Sequence, residues 1–216
     1  MSQCMVDADN DWFERYEVEG GQVRRVSKFT RQDFTVPVET VEEEWPSWTP
    51  AYKARFASAF ALSRRVALND NDRRLLDFLV KNGEPTIWRM LAFSVVRNLE
   101  RDRALHFLLE RVAEGTGPLA NYYQALGRLL ASECVPILDE ALSRHHREVK
   151  AHPALQCWDD RFIYLDYLSC CATLFKITGE EKYRANLKLI MRHPDAVIQN
   201  MVQTVATASG VILDEG

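Results

Sequence analysis

The stretch LSRHHREVKAHPALQCWDD, Leu142 to Asp160, gathers three of the chain's five histidines, one of its five cysteines and two adjacent aspartates. These residue types could hold a transition metal, or could supply a thiol nucleophile with an imidazole base. Spacing decides between chemistry and structure. Two ligands for one ion on a helix must stand three or four positions apart, yet His145 meets Val149 at i+4 and His146 meets Lys150. Adjacent histidines diverge by about 100°. His145 with Glu148 is the one well-spaced pair, and it offers only two ligands. Cys157 stands near His152 and beside Trp158, but a nucleophile also needs a base and an orienting group that meet it in space. Of the other cysteines, Cys134, Cys170 and Cys171 lie among Leu, Ala and Val and read as small core residues.

Helix-end electrostatics explains more of the same letters. Arg144, His145, His146, Arg147, Lys150 and His152 crowd the expected carboxyl end of one helix, where cations meet the negative end of the macrodipole. Asp159 and Asp160 stand where the next helix should begin, and the run MRHPD at 191–195 repeats the arrangement. We therefore expect no catalytic residue, no metal ligand and no cofactor from these residues. GxSxG, GxGxxG after a strand, GxxxxGK[ST], HExxH and EF-hand patterns are all missing from the sequence.

The elements that position these residues are helices. Among 216 residues only nine are glycine and eight proline, 47% are hydrophobic and 27% charged, which suits a mainly α chain with a sizeable core. From Thr49 onward amphipathic segments succeed one another. Phe56 and Phe60 share a face; Asn69 to Asp72 cap Leu75, Leu76 and Leu79; Gly83 closes that helix and Pro85 opens the next. Leu91, Ala92, Val95 and Val96 make a broad apolar face, followed by the stripe Leu105, Leu108, Leu109 and Val112. Ser132 is expected to cap a helix with Pro136 in its first turn, and Asp195 to begin the last one.

MLAFSVVRNLERDRALHFLLERV and QALGRLLASECVPILDEAL share a plan: a helix with a small residue, Ala92 or Ala125, inside its apolar face, a tight break, and a Leu-rich partner. The offset between those alanines is about 33 residues, a hairpin-repeat spacing. Over 84–142 the chain resembles HEAT-type α-solenoid proteins. That resemblance implies an α-solenoid of about nine helices over residues 49–216, with an extended gripping face for another macromolecule.

Residues 1–48 read as a separate arm. A Gly20–Gly21 pair between β-prone runs predicts a short β-hairpin, and FTVPV at 34–38 an extended strap restricted by Pro37. Within this arm Glu42, Glu43 and Glu44 adjoin Trp45 and Trp48 around a proline. Together with Asp159 and Asp160 they form the expected partner-binding set, although the tryptophans could equally pin the arm to the helices. The run 24–31 interleaves Arg24, Arg25, Lys28 and Arg31 with Phe29, and reads either as a nucleic-acid contact or as a solvated strand edge.

A net charge of −4 disfavours a large nucleic-acid footprint and suits a basic protein partner. The acidic start lacks the features of a signal peptide, no run approaches the roughly 18 apolar residues of a membrane span, and the odd cysteine count contains no CxxC. The expected location is cytoplasmic, with reduced thiols and no membrane partner. The expected function is non-enzymatic protein binding, possible forms being an inhibitor or immunity-type protein that neutralises a basic partner. Two alternatives stand beside it. TGEEKY at 178–183 resembles the tail hairpins of α/α-barrel enzymes, which implies carboxylates or a metal in a cleft; HEAT-like DNA glycosylases would imply a basic groove.

Overall fold

The computed structural model describes residues 2–7, 12–19, 22–30, 36–63, 68–157 and 159–213. They form two compact units, Met1–Leu99 and Glu100–Gly216. The segment between α-helices at this boundary runs through Leu99, which is extended, and Glu100. Ten α-helices occur among the described residues, and none is long and apolar enough to cross a membrane.

The first unit begins with three strands, β1 (Ser2–Asp7), β2 (Trp12–Glu19) and β3 (Gln22–Thr30), paired antiparallel in the order β1-β2-β3. Four helices follow: α1 (Val38–Glu44), α2 (Pro50–Ser63), α3 (Asp70–Asn82) and α4 (Pro85–Asn98). Helix α1 packs on α3, α2 on α4, and α3 on α4.

The expectation of a HEAT-like α-solenoid of about nine helices with a short N-terminal β-hairpin arm is corrected at this end. The helical class holds, but the described residues before Thr49 are not a short two-stranded hairpin: they hold a three-stranded sheet and the helix α1. Three strands precede a helix, and α1 raises the count to ten. Pro37, read as a strand restriction, is the N-cap residue of α1. The reason lies in spacing: Val38, Val41 and Trp45 recur at helical intervals and all three are buried. Asn71 completes the attachment by accepting from the Val38 amide at 3.0 Å while donating to the Val36 carbonyl at 2.8 Å, which ties α1 to the first turn of α3. Gly20, Gly21, Phe34, Thr35 and Trp158 lie outside the described residues.

Several boundaries follow from local chemistry. Asn69 accepts from the Asp72 amide at 2.8 Å and caps α3. Gly83 ends that helix in an extended conformation, not a left-handed one. Its missing side chain answers a close approach, since a Cβ there would lie 2.5 Å from the Leu79 carbonyl oxygen and 2.8 Å from Trp88 Nε1. Trp88 in turn donates to the Val80 carbonyl at 3.0 Å, so the α3–α4 hairpin closes tightly.

The second unit comprises α5 (Arg101–Glu114), α6 (Ala120–Leu129), α7 (Val135–Ala151), α8 (Asp160–Thr178), α9 (Glu181–Met191) and α10 (Ala196–Ser209). Helix α8 is its axis: α6, α7, α9 and α10 all pack against it, while α5 packs on α6. Every residue from Asp166 to Leu174 is buried, as a helix covered on all sides requires. Small residues let the neighbours close in. Ala125 is fully buried, and a Cβ on Gly127 would stand 3.2 Å from Thr173 Oγ1. Alternate helices lying side by side, α2 with α4 in one unit and α6 with α8 with α10 in the other, are compatible with a helical-repeat fold.

Two expected caps differ in detail. Ser132 sits in a 3₁₀ turn, Ser132–Cys134, and does not cap α7 with its side chain. Asp195 does cap α10, accepting from the Val197 amide at 2.7 Å.

Candidate functional site

Polar side chains converge inside the second unit, where α6, α7 and α8 meet. Tyr123 on α6 and His145 on α7 are both buried, and the Tyr123 hydroxyl lies 2.8 Å from His145 Nε2. His145 Nδ1 lies 2.8 Å from Glu148 Oε2 one turn further along α7. A carboxylate can only accept, which places the imidazole proton on Nδ1 and leaves Nε2 to accept from the tyrosine. Thr173 on α8 donates to the Tyr123 carbonyl at 2.8 Å, and Gln124 donates to Ser169 at 3.1 Å. Asp166, also on α8, accepts from the Leu119 and Ala120 amides at 2.8 and 2.7 Å. These amides open α6, so a carboxylate from another helix takes the capping role that Leu119 cannot fill.

Burial sets the electrostatics. It pushes the Tyr123 hydroxyl far up, with Cys170 and Asp166 adding to the effect. Burial likewise holds His145 below the ordinary imidazole value against the opposing pull of Glu148. Cys170 is driven well up by burial, Cys171 is pushed up to about 12 and Cys134 to about 11 by the same cause. Tyr–His–Glu is the layout of a proton relay, but here a neutral imidazole meets a phenol that keeps its proton. The contact between Tyr123 and His145 joins α6 to α7 inside the unit.

The structure bears on each residue singled out by sequence. The His145–Glu148 pair is joined as its spacing allows. His146 instead stacks on Tyr167 at 5.8 Å, and His152 Nδ1 lies 3.0 Å from the Glu148 carbonyl at the end of α7. Cys157 is exposed. Asp159 is exposed too, whereas Asp160 is buried and accepts from the Gln156 and Cys157 amides at 2.6 and 2.9 Å. Those amides hold its carboxyl below the ordinary value. Among the described residues no group of three or more His, Cys, Asp and Glu side chains is placed to hold a metal ion.

Trp45 and Trp48 face inward. Trp45 meets Phe78 edge-on at 5.4 Å, and Trp48 packs on Tyr52 and Phe56 at 4.6 and 5.0 Å. Lys53 lies over the Trp45 ring at 5.0 Å. Glu42 and Glu43 are exposed and Glu44 is half-buried. Sequence reasoning missed Tyr123 as a partner of His145. Asp166 had a visible signal, a lone carboxylate within the apolar run FIYLDYLSCC.

Compared with known proteins, the chain matches no protein-family model, no curated protein and no solved structure at a significant level.

Proposed function

We propose that this protein is a non-enzymatic binding module of HEAT-like helical hairpins that recognises a basic protein partner, in the manner of an inhibitor or immunity protein. One observation carries the reading: Trp45 and Trp48 anchor α1 by their burial, so that Glu42 and Glu43 stand on its outer side in a fixed arrangement. A pre-ordered pair of acids steers and orients a cationic partner at little entropic cost. The tryptophans serve here as anchors for the acids, and Asp159 adds an exposed charge in the second unit.

The experiment is a pull-down from native lysate with the full chain and with the double variant E42K/E43K. A partner with a basic surface, released by rising salt and not retained by the variant, is the expected result. Equal retention by both chains, or recovery of the bait alone at low salt, overturns the reading.

A helical enzyme is the second reading, favoured by the Tyr123–His145–Glu148 chain. It requires a turnover that H145Q abolishes in a chain that remains folded.

A further inference from the structure

The loop 152–157, between α7 and α8, is pinned at three places among the described residues. Tyr164 of α8 donates from its hydroxyl to the His152 carbonyl at 2.9 Å. Asp160 receives the Gln156 and Cys157 amides. The third pin is His193, in the turn between α9 and α10, whose Nε2 lies 2.9 Å from the Pro153 carbonyl oxygen and whose Nδ1 lies 3.0 Å from the Asp195 amide nitrogen.

These two contacts determine each other's proton. An amide N–H can only donate, so Nδ1 must be the bare nitrogen; a carbonyl can only accept, so Nε2 must carry the hydrogen. Only the neutral Nε2–H tautomer satisfies both. A second proton would set N–H against N–H at Asp195, the residue whose carboxylate caps α10. The other two pins do not depend on that proton, since one is a tyrosine hydroxyl and the other a carboxylate that its own amide partners hold ionised. His152 differs as well: its Nδ1 faces a carbonyl and can donate whether or not the ring is charged.

We propose that His193 is a proton-operated joint, which couples the 152–157 loop to the N-cap of α10 while neutral and uncouples them when the ring takes a second proton. Tyr164 meets the ring edge-on at 5.8 Å from α8; Asp195 follows it and Arg192 precedes it; Asp160 and Asp195 both act electrostatically on Tyr164. A proton on Nδ1 and the joined geometry therefore exclude each other. When the ring charges, it retains a donor for Pro153 but must turn away from the Asp195 amide.

Nuclear magnetic resonance on the full chain tests this directly, because an N–H···N hydrogen bond transmits a measurable nitrogen–nitrogen coupling. The coupling between Asp195 N and His193 Nδ1 is expected at pH 8 and lost at pH 5, roughly the span over which imidazoles change charge. The Asp195 amide should shift in step with the His193 ring carbons, while the Gln156 and Cys157 amides stay in place. In H193N, where no ring titrates, the Asp195 amide should be flat over the same span. An Asp195 amide that stays in place while the ring titrates overturns the proposal, as does a ring that remains neutral down to pH 5. The same amide shift persisting in H193N would assign it to another group and overturn it equally.

Discussion

The Tyr123 hydroxyl and His145 Nε2 lie 2.8 Å apart in the interior of the second unit, joining α6 to α7. Removing the hydroxyl leaves an imidazole nitrogen buried without its donor. Y123F should therefore lose about 1–3 kcal/mol of unfolding free energy, read from urea titration at pH 8. A midpoint equal to the wild type would show that the bond carries no net stability.

His145 also makes stability depend on pH, with a definite sign. Its folded value lies below the ordinary 6.5, so between the two values the unfolded chain binds the extra proton and the folded one resists it. The contribution is complete above pH 6.5 and is lost as the pH falls through the folded value. Wild type should weaken on going from pH 7.5 to pH 5.5 by more than H145N does, measured by urea unfolding at each pH.

Asp166 reaches from α8 to the first amides of α6, and D166A strands the buried Leu119 amide and the part-buried Ala120 amide. A loss of about 2–4 kcal/mol is expected, from two unmet donors at about 1–2 kcal/mol each. D166N keeps one acceptor and should recover part of that loss. Hydrogen exchange of the Leu119 and Ala120 amides locates the effect, since both should exchange faster in D166A.

Thiol chemistry should follow burial. Cys157 is exposed, whereas burial raises Cys134, Cys170 and Cys171. Brief alkylation of the native protein followed by peptide mass spectrometry should find Cys157 modified ahead of these three. Early labelling at Cys170 would contradict its burial.

Trp45 is an anchor in the interior of the first unit. W45A should cost about 3–5 kcal/mol, as is usual for emptying an aromatic site in a core. The exposed substitutions E42K and E43K should leave the unfolding midpoint within about 0.5 kcal/mol of wild type. That contrast separates the anchoring role of the tryptophan from a partner-binding role of the acids.

Periodicity alone determined the helical class and most helix boundaries, because a 3.6-residue apolar repeat and residues such as Asn69, Pro85 and Asp195 act within a single turn. It also made the His145–Glu148 pair legible, being an i,i+3 relation on one helix. Helix α1 escaped because its seven residues are too few for a repeat to stand out, and Pro37 permits either an extended strand or a helix start. Tertiary structure alone decided the direction of each polar side chain. Asp160 reaches back to the loop before it, Asp166 crosses to α6, and Tyr123 finds His145 on another helix. Such contacts depend on how helices are rotated and spaced against one another, and that is set by the summed packing of apolar faces, which no local window of sequence contains.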